Sequence, residues 1–387
     1  MGKKIKVLFI AKWYPNKEDP QLGIFIKKHA QAVALYADVS LIYIEPFNSQ
    51  TQLTDFYLSE EKKVRQFFLY YKRSYFRMLN PLRYWLTLRR AFRAVEKNSG
   101  IPDIIHSHVL LRPALMAWLL SYEHRIPYII TEHWTGFANN KYLAKPLWYR
   151  QLCKYVVSKS SALTVVSHAL KKEMEKIGFS TAMYIVPNVV DLPENIPDNI
   201  LQGKKLFLTV ADLLDSQKNV SATIRVSARL AQKRNDFEFH IIGSGPDEQM
   251  LIDLARREGV LDSFVFFHGR KNNDEVYEHL KRVNFIVVNS HTETFSVVTA
   301  EALACGKPVV ATISGGPEEI MSDLSGILIR KDSETELENA IVKMLDTCQA
   351  YDPVKLQASV AGKYSREKTG EMFYNLYLGI LEGKKEK

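Results

Sequence analysis

The sequence predicts an α/β protein made of two doubly wound parallel-sheet domains that face one another across a cleft. Three observations predict it. Short β-branched apolar runs alternate with helical segments along nearly the whole chain. The alternation breaks once, after Asp191, and then restarts on a new buried strand. The length, 387 residues, suits two domains of ordinary size.

Taken in order, the first half holds strand candidates at 6–11, 39–44, 104–106, 128–131, 162–166 and 184–186. Helix candidates at 24–36, 83–97, 113–122, 148–158 and 168–177 fall between them. Short joins between strand and helix indicate a parallel sheet covered on both faces. Residues 192–203 carry two prolines and no apolar periodicity, which marks a linker. Beyond it come strands at 206–210, 238–242, 265–267, 285–288, 308–311 and 326–329. Helices at 219–232, 247–258, 274–281, 296–304, 335–345 and 366–381 accompany them. Ligands of such sheets sit outside the carboxyl ends of the strands, and two such domains leave a substrate cleft between them.

Composition narrows the class. An apolar fraction of 46% and a charged fraction of 25% belong to a folded globular chain rather than a disordered or collagenous one. Cys153, Cys305 and Cys348 are odd in number and far apart, which indicates neither a disulfide framework nor a zinc site and suits a cytoplasmic setting. The apolar run after Met1-Gly2-Lys3-Lys4 is broken by Lys6 and ends at Lys12, too short for a signal or a span. The net charge of +9 is concentrated: residues 62–97 carry eleven Lys and Arg against one acid, Glu96. The basicity therefore needs a local explanation.

The most informative stretch runs from Asn289 to Pro308. It leaves a buried strand, passes the polar turn Thr292-Glu293-Thr294-Phe295-Ser296, and enters a helix that contains Glu301. Free N–H groups and the dipole at a helix N-terminus favour a phosphate, and carboxylates accept hydrogen bonds from sugar hydroxyls. The same residues would also serve as a plain helix start with a solvated Glu293 and a lysine-paired Glu301. Here the sequence resembles the E-x7-E signature of retaining glycosyltransferases of family 4. The resemblance includes the continuation Glu301-Ala-Leu-Ala-Cys-Gly-Lys-Pro-Val-Val310. It extends through the strand and loop from Leu208 to Asn219, His240-Ile-Ile-Gly-Ser-Gly245, Phe266-Phe-His-Gly269, the Val186-Pro-Asn-Val-Val-Asp191 hinge and Ser325-Gly326.

The resemblance implies two facing Rossmann-like domains (the GT-B fold): residues 1–191 for the acceptor, 192–365 for the nucleotide-sugar donor, and 366–387 returning to the first domain. It implies that Lys218 pairs with the donor diphosphate and that Glu293 holds hydroxyls of the transferred sugar. The amides of Thr294, Phe295 and Ser296 would touch phosphate, Glu301 would accept from the ribose, and Gly243 would let the backbone approach the donor. Two positions depart from the pattern. Asp212 stands where Arg is usual, an unfavourable sign beside a diphosphate, and the loop is one residue longer. Val189 stands where Gly is usual, so the hinge must avoid positive φ.

In the first domain, the resemblance assigns Gly23, which ends the loop after the first strand, to the donor phosphates. It assigns His133, at the carboxyl end of a buried strand, to the transferred sugar. His106 and His108 are left between acceptor contact and structure. With no metal-ligand spacing and no Asp-x-Asp triplet, metal-independent catalysis without a cofactor is expected.

The basic segment reads two ways. Between 83 and 97, Tyr84, Trp85, Leu88, Ala91, Phe92 and Val95 share one helical face and Arg83, Arg90, Arg93 and Lys97 the other. With the upstream run Phe67–Arg77 this pattern suits an anionic membrane surface, at ~1 kcal/mol per basic residue. It also suits a core-packed helix with a solvated basic face. Nucleic acid is not expected, since no module for it appears. The sequence therefore points to a retaining glycosyltransferase that uses a UDP- or GDP-sugar and a glycan or lipid-linked acceptor in cell-surface polysaccharide synthesis, cytoplasmic or peripheral on the inner membrane face. The alternatives are an epimerase or hydrolase on the same fold and a nucleotide-sugar-binding protein without turnover.

Overall fold

The computed structural model describes residues 4–16, 19–46, 56–110, 112–196 and 203–385. Residues 197–202 of the linker expected at 192–203 lie outside them, as do Lys17 and Glu18 of the first loop. The chain divides into two compact units, Met1–Val189 with Arg366–Lys387, and Val190–Ser365.

The first unit opens with β1 (Lys6–Ala11), α1 (Ile24–Val33), β2 (Asp38–Pro46), β3 (Phe56–Glu61), β4 (Val64–Tyr71) and α2 (Asn80–Ser99). It continues with β5 (Ile104–His108), α3 (Arg112–His124), β6 (Tyr128–Glu132), α4 (Leu147–Ser158), β7 (Ala162–Val165), α5 (His168–Lys176) and β8 (Met183–Ile185). These strands form one eight-stranded sheet in the order β3-β4-β2-β1-β5-β6-β7-β8. Every pair is parallel except β3 with β4.

The β3–β4 hairpin is absent from the sequence expectation, and it corrects the reading of the Phe67–Arg77 run. Phe67, Phe68 and Tyr71 are core residues of β4, not surface aromatics. The apolar face of α2 is likewise spent: Tyr84, Leu88, Ala91, Phe92 and Val95 are all buried.

The second unit runs β9 (Lys205–Val210), α6 (Asp215–Lys218), α7 (Val220–Ala231), β10 (Phe237–Ile242), α8 (Glu248–Arg257), β11 (Val265–Phe267) and α9 (Asn273–Arg282). It then adds β12 (Phe285–Val288), α10 (Val297–Ala304), β13 (Val309–Thr312), α11 (Pro317–Ile320), β14 (Gly326–Ile329), α12 (Glu334–Thr347) and α13 (Pro353–Tyr364). Its six strands are all parallel, in the order β11-β10-β9-β12-β13-β14. Renumbered within the unit, this is the 3-2-1-4-5-6 order of a dinucleotide-binding sheet. Its core centres on Phe207, stacked 4.8 Å from Phe239 and 5.1 Å from Phe285 on the flanking strands.

The last helix, α14 (Arg366–Lys385), belongs to the first unit. It lies so close to α1 that a Cβ on Gly370 would meet the Ala32 carbonyl oxygen at 2.3 Å. Phe373 and Tyr377 of this helix are fully buried in the first unit's core.

Candidate active site

In a sheet of this order the strand direction of travel reverses between β9 and β12, and the loops leaving their carboxyl ends splay apart to leave a ligand crevice. In the second unit these are the loops that carry Lys218 and Glu293. The first is rigidly built. The Leu213 amide donates to the Ser244 carbonyl at 3.0 Å. The Asp247 carboxylate takes the Asp215 amide at 2.7 Å, and the Asp215 carboxylate takes the Ser221 amide at 2.9 Å. The single turn α6 therefore has both ends pinned, and Asn219, at φ 49°, breaks it from α7.

The two loops are also joined to each other. The His291 amide donates to the Gln217 carbonyl at 2.8 Å, and the Asn289 side chain donates to the Asn219 carbonyl at 3.2 Å. On this frame Lys218 Nζ meets Glu293 Oε1 at 2.6 Å, with side-chain exposures of only 20% and 11%. Ser290 Oγ donates to the same carboxylate oxygen at 2.7 Å, and the Glu293 amide donates to the Ser314 carbonyl at 2.9 Å. Glu293 is thus not the solvated residue of the bland alternative. Two opposite charges are held at the mouth of the crevice, mutually compensated.

Helix α10 starts beside them. Ser296 takes φ 67°, and its hydroxyl pairs with Thr299 Oγ1 at 2.7 Å. No side chain caps the first turn, so its backbone N–H groups remain the local positive end. Phe295 anchors the turn: its ring meets Tyr364 edge-on at 5.3 Å, and its carbonyl leaves no room for a Cβ on Gly316. Thr294 is buried with it. Glu301 follows inside α10 and is buried, with Tyr277 and Cys305 for neighbours. Burial, and then the Glu301 charge, push the Cys305 thiol up to about 12.

The two glycines have clear backbone reasons. Gly243, at φ 142°, sits where a Cβ would lie 1.8 Å from the Ala211 carbonyl oxygen. Gly23, at φ 64°, sits where one would lie 2.4 Å from the Trp13 carbonyl oxygen. Each lets two loops at strand ends pack closely. Asp212 is exposed. Val189 is not among the described residues with positive φ, as its Cβ requires.

The first unit gathers a second polar cluster at the carboxyl ends of β1, β5 and β6. His133 Nε2 and His108 Nδ1 share a hydrogen bond at 3.1 Å. His29, from α1, donates from Nε2 to the Pro187 carbonyl at 3.1 Å. His106 lies deeper, between Tyr377 Oη at 2.7 Å and Thr131 Oγ1, so its role is structural. Glu132 caps the loop, accepting the amides of Leu110, His133 and Trp134 at 2.7–2.8 Å.

Burial governs the charges of this cluster. It lowers His29 to about 4 and holds His106, His108 and His133 well below 6.5, with neighbouring rings adding repulsion. It raises Glu132 to about 7 against the pull of its three amides. One nitrogen each of His29, His108 and His133 lies within 4.8 Å of the others, the one such group of three among the described residues. Sequence spacing hides it, because the three rings come from three elements.

The structure therefore brings Lys218 and Glu293 into contact and sets Thr294, Phe295, Ser296 and Glu301 in sequence behind them. Gly243 packs against the same loop as Asp212. Gly23 and His133 belong to the other unit. Sequence reasoning missed Ser290, His29 and Glu132. Glu132 carried a signal, as an acid at a strand end next to His133; Ser290 and His29 carried none beyond residue type.

Comparison with known proteins follows from this geometry. A family described as Glycosyl transferases group 1 matches residues 193–356, and one described as Glycosyltransferase Family 4 matches residues 47–194. An uncharacterized glycosyltransferase of Methanocaldococcus jannaschii is 28% identical over 264 residues, 68% of this chain and 71% of its own. A Bacillus subtilis protein named for teichuronic acid biosynthesis as a glycosyltransferase is 24% identical over 358 residues, 88% of this chain and 89% of its own. Among solved structures, sucrose-phosphate synthase from Thermosynechococcus elongatus has a TM-score of 0.80 at 16% identity, covering 98% of this chain and 100% of that one. The Anabaena protein HepE in complex with UDP has a TM-score of 0.73 at 15% identity, covering 97% and 100%. Its complex with UDP-glucose has a TM-score of 0.72 at 16% identity, covering 99% and 100%.

Proposed function

The chain belongs to the group 1 glycosyltransferases of family 4, with their GT-B fold, and from that premise we propose that it moves a sugar from a nucleotide donor held by the second unit. The acceptor is a glycan or lipid-linked glycan of cell-surface polysaccharide, met at the inner face of the membrane. The transfer retains anomeric configuration and uses no metal ion. The observation that carries this reading is the compensated Lys218–Glu293 pair at the crevice between β9 and β12. The UDP and UDP-glucose complexes of the Anabaena protein favour a uridine nucleotide over a guanosine one.

Donor arrival exchanges partners. The diphosphate takes Lys218 and the open amides of α10, and Glu293, released from the lysine, accepts sugar hydroxyls. Lys218 and the helix N-terminus then stabilise the charge that develops on the leaving diphosphate, a contribution worth ~3–4 kcal/mol when one such donor is removed. Glu301 accepts from the ribose. His133 faces the transferred sugar in its neutral form, the form in which burial holds it. Holding donor and acceptor in register supplies the remainder, with attack on the face the diphosphate leaves.

The test is turnover in EDTA with a panel of UDP- and GDP-sugars and a membrane glycolipid extract, following nucleotide release and the anomeric configuration of the product. Acceptor-dependent release with a retained anomer is expected. Release without acceptor would make the protein a hydrolase, and dependence on added metal would refute the metal-free step.

A further inference from the structure

The apolar face of α2 is buried, yet a second apolar set beside it is not. Tyr75 is 98% exposed, Met78 92% and Phe76 71%, and Leu79, Leu82 and Leu86 are each about half exposed or more than 40% so. Folding leaves these six large side chains in water, within twelve residues of sequence. Isolated exposed apolar residues need no explanation, but a contiguous group does. The segment that presents them is built rather than frayed. The Ser74 amide donates to Asn80 Oδ1 at 2.7 Å, the Phe76 amide to Ser74 Oγ at 3.2 Å, and the Leu79 amide to the Phe76 carbonyl at 2.9 Å. Arg83 Nη1 ties the helix back to the Lys72 carbonyl at 2.8 Å.

The charge beside this ridge is of one sign. Leu82 and Leu86, four residues apart, share one stripe of α2, and Leu79 lies immediately before its first turn. Arg83, Arg90, Arg93 and Lys97 run along the adjacent stripe and are exposed. Lys72 and Arg73 precede the ridge in the chain and are exposed as well. Among the described residues, Arg89 is the one cation of this helix paired with an acid, Glu123. No helix among the described residues is long and apolar enough to cross a membrane.

We infer that residues 72–97 form a docking surface for an anionic lipid bilayer, with the Tyr75–Leu86 ridge set among the acyl chains and the arginine stripe at the depth of the lipid phosphates. Apolar side chains beside a cationic stripe match the layered chemistry of such an interface, where each basic residue contributes independently and salt weakens the whole. A protein partner would need acids facing six cations and a complementary apolar groove at once; a bilayer with anionic headgroups supplies both without specific shape. The inference deepens the proposed reading by locating where a lipid-linked acceptor is met, and the binding itself does not depend on that reading.

The experiment is flotation of the full chain with phosphatidylcholine vesicles, with or without phosphatidylglycerol, at low and high salt. Wild type is expected to float with the anionic vesicles at low salt only. The pair Arg90→Ala, Arg93→Ala should bind about thirtyfold more weakly. The triple change Tyr75→Ser, Phe76→Ser, Met78→Ser should lower binding on the order of tenfold or more, with an unchanged circular dichroism spectrum because these side chains are exposed. Equal flotation with both vesicle types, or wild-type binding by both variants, would overturn the inference. So would a dimer in light scattering that the triple variant splits, since the ridge would then serve a second copy of this chain. Stabilisation by UDP-sugars, read in the same samples without vesicles, separates the two claims: its loss would remove the transferase reading and leave the vesicle result intact.

Discussion

Acidification should unfold the first unit ahead of the second. The four buried histidines, His29, His106, His108 and His133, have folded-state pKa values depressed below the ordinary 6.5 by burial, and His106, His108 and His133 by neighbouring rings second. A depressed folded value means that their contribution to stability is present above pH 6.5 and lost as the pH falls, because the unfolded chain takes up protons that the folded one refuses. Between pH 7.5 and 5.5 each ring that stays neutral when folded costs on the order of 1 kcal/mol, so the four together cost on the order of 5 kcal/mol. Glu132 works in the opposite direction. Its folded value is raised to about 7, so it destabilises most at high pH and returns about 2 kcal/mol over the same interval. The net loss is about 3 kcal/mol, a large part of an ordinary domain's stability. The assay is built into the sequence: all five tryptophans, Trp13, Trp85, Trp118, Trp134 and Trp148, lie in the first unit. Urea denaturation followed by tryptophan fluorescence therefore reports that unit alone. A midpoint at pH 5.5 equal to or above that at pH 7.5 would refute the burial argument for the cluster.

Three further outcomes follow from the second unit. Gly243→Ala places a methyl group against the Ala211 carbonyl at a φ that disfavours it, so denaturant titration by circular dichroism should show a loss of ~3 kcal/mol or more in the second unit. Phe295→Ala empties the contact with Tyr364 and should cost about 3 kcal/mol in the same titration, with donor binding weakened because the turn before α10 loses its anchor. Lys218→Met should lower kcat on the order of 100-fold or more while leaving the fold intact; an unchanged kcat would remove the lysine from the transition state.

The strand and helix alternation is legible because both sheets are built from long apolar runs with short joins, and all six strands of the second unit fall within a residue or so of where the pattern puts them. The β3–β4 hairpin was not legible for two reasons. Its turn is Lys62-Lys63, both at positive φ, where Asn-Gly or Asp-Gly is the usual signal. And β4, paired on both sides, is buried at Val64, Gln66, Phe67, Phe68, Leu69 and Tyr71 rather than at alternate residues. Helix α13 does carry a signal in the sequence, Asp352 before Pro353 at its start. Lys218 and Glu293 could be named singly from the sequence. Their contact could not, because it depends on β9 lying beside β12, a fact of topology separated by 75 residues of chain. The histidine cluster is hidden for the same reason, whereas the exposed ridge at 75–86 is hidden for another: a hydrophobic residue does not announce whether the fold has room for it.

The central claim is that the loops after β9 and β12 hold a nucleotide sugar through Lys218 and Glu293. Thermal shift of the full chain against UDP-, GDP- and ADP-sugars, repeated with Lys218→Ala and Glu293→Ala, tests it most directly. The account predicts stabilisation by one nucleotide class, ~2.7 kcal/mol at a hundredfold excess over Kd, and its loss in both variants. Stabilisation that survives both substitutions would place the donor elsewhere, and no shift with any nucleotide would contradict the account at its root.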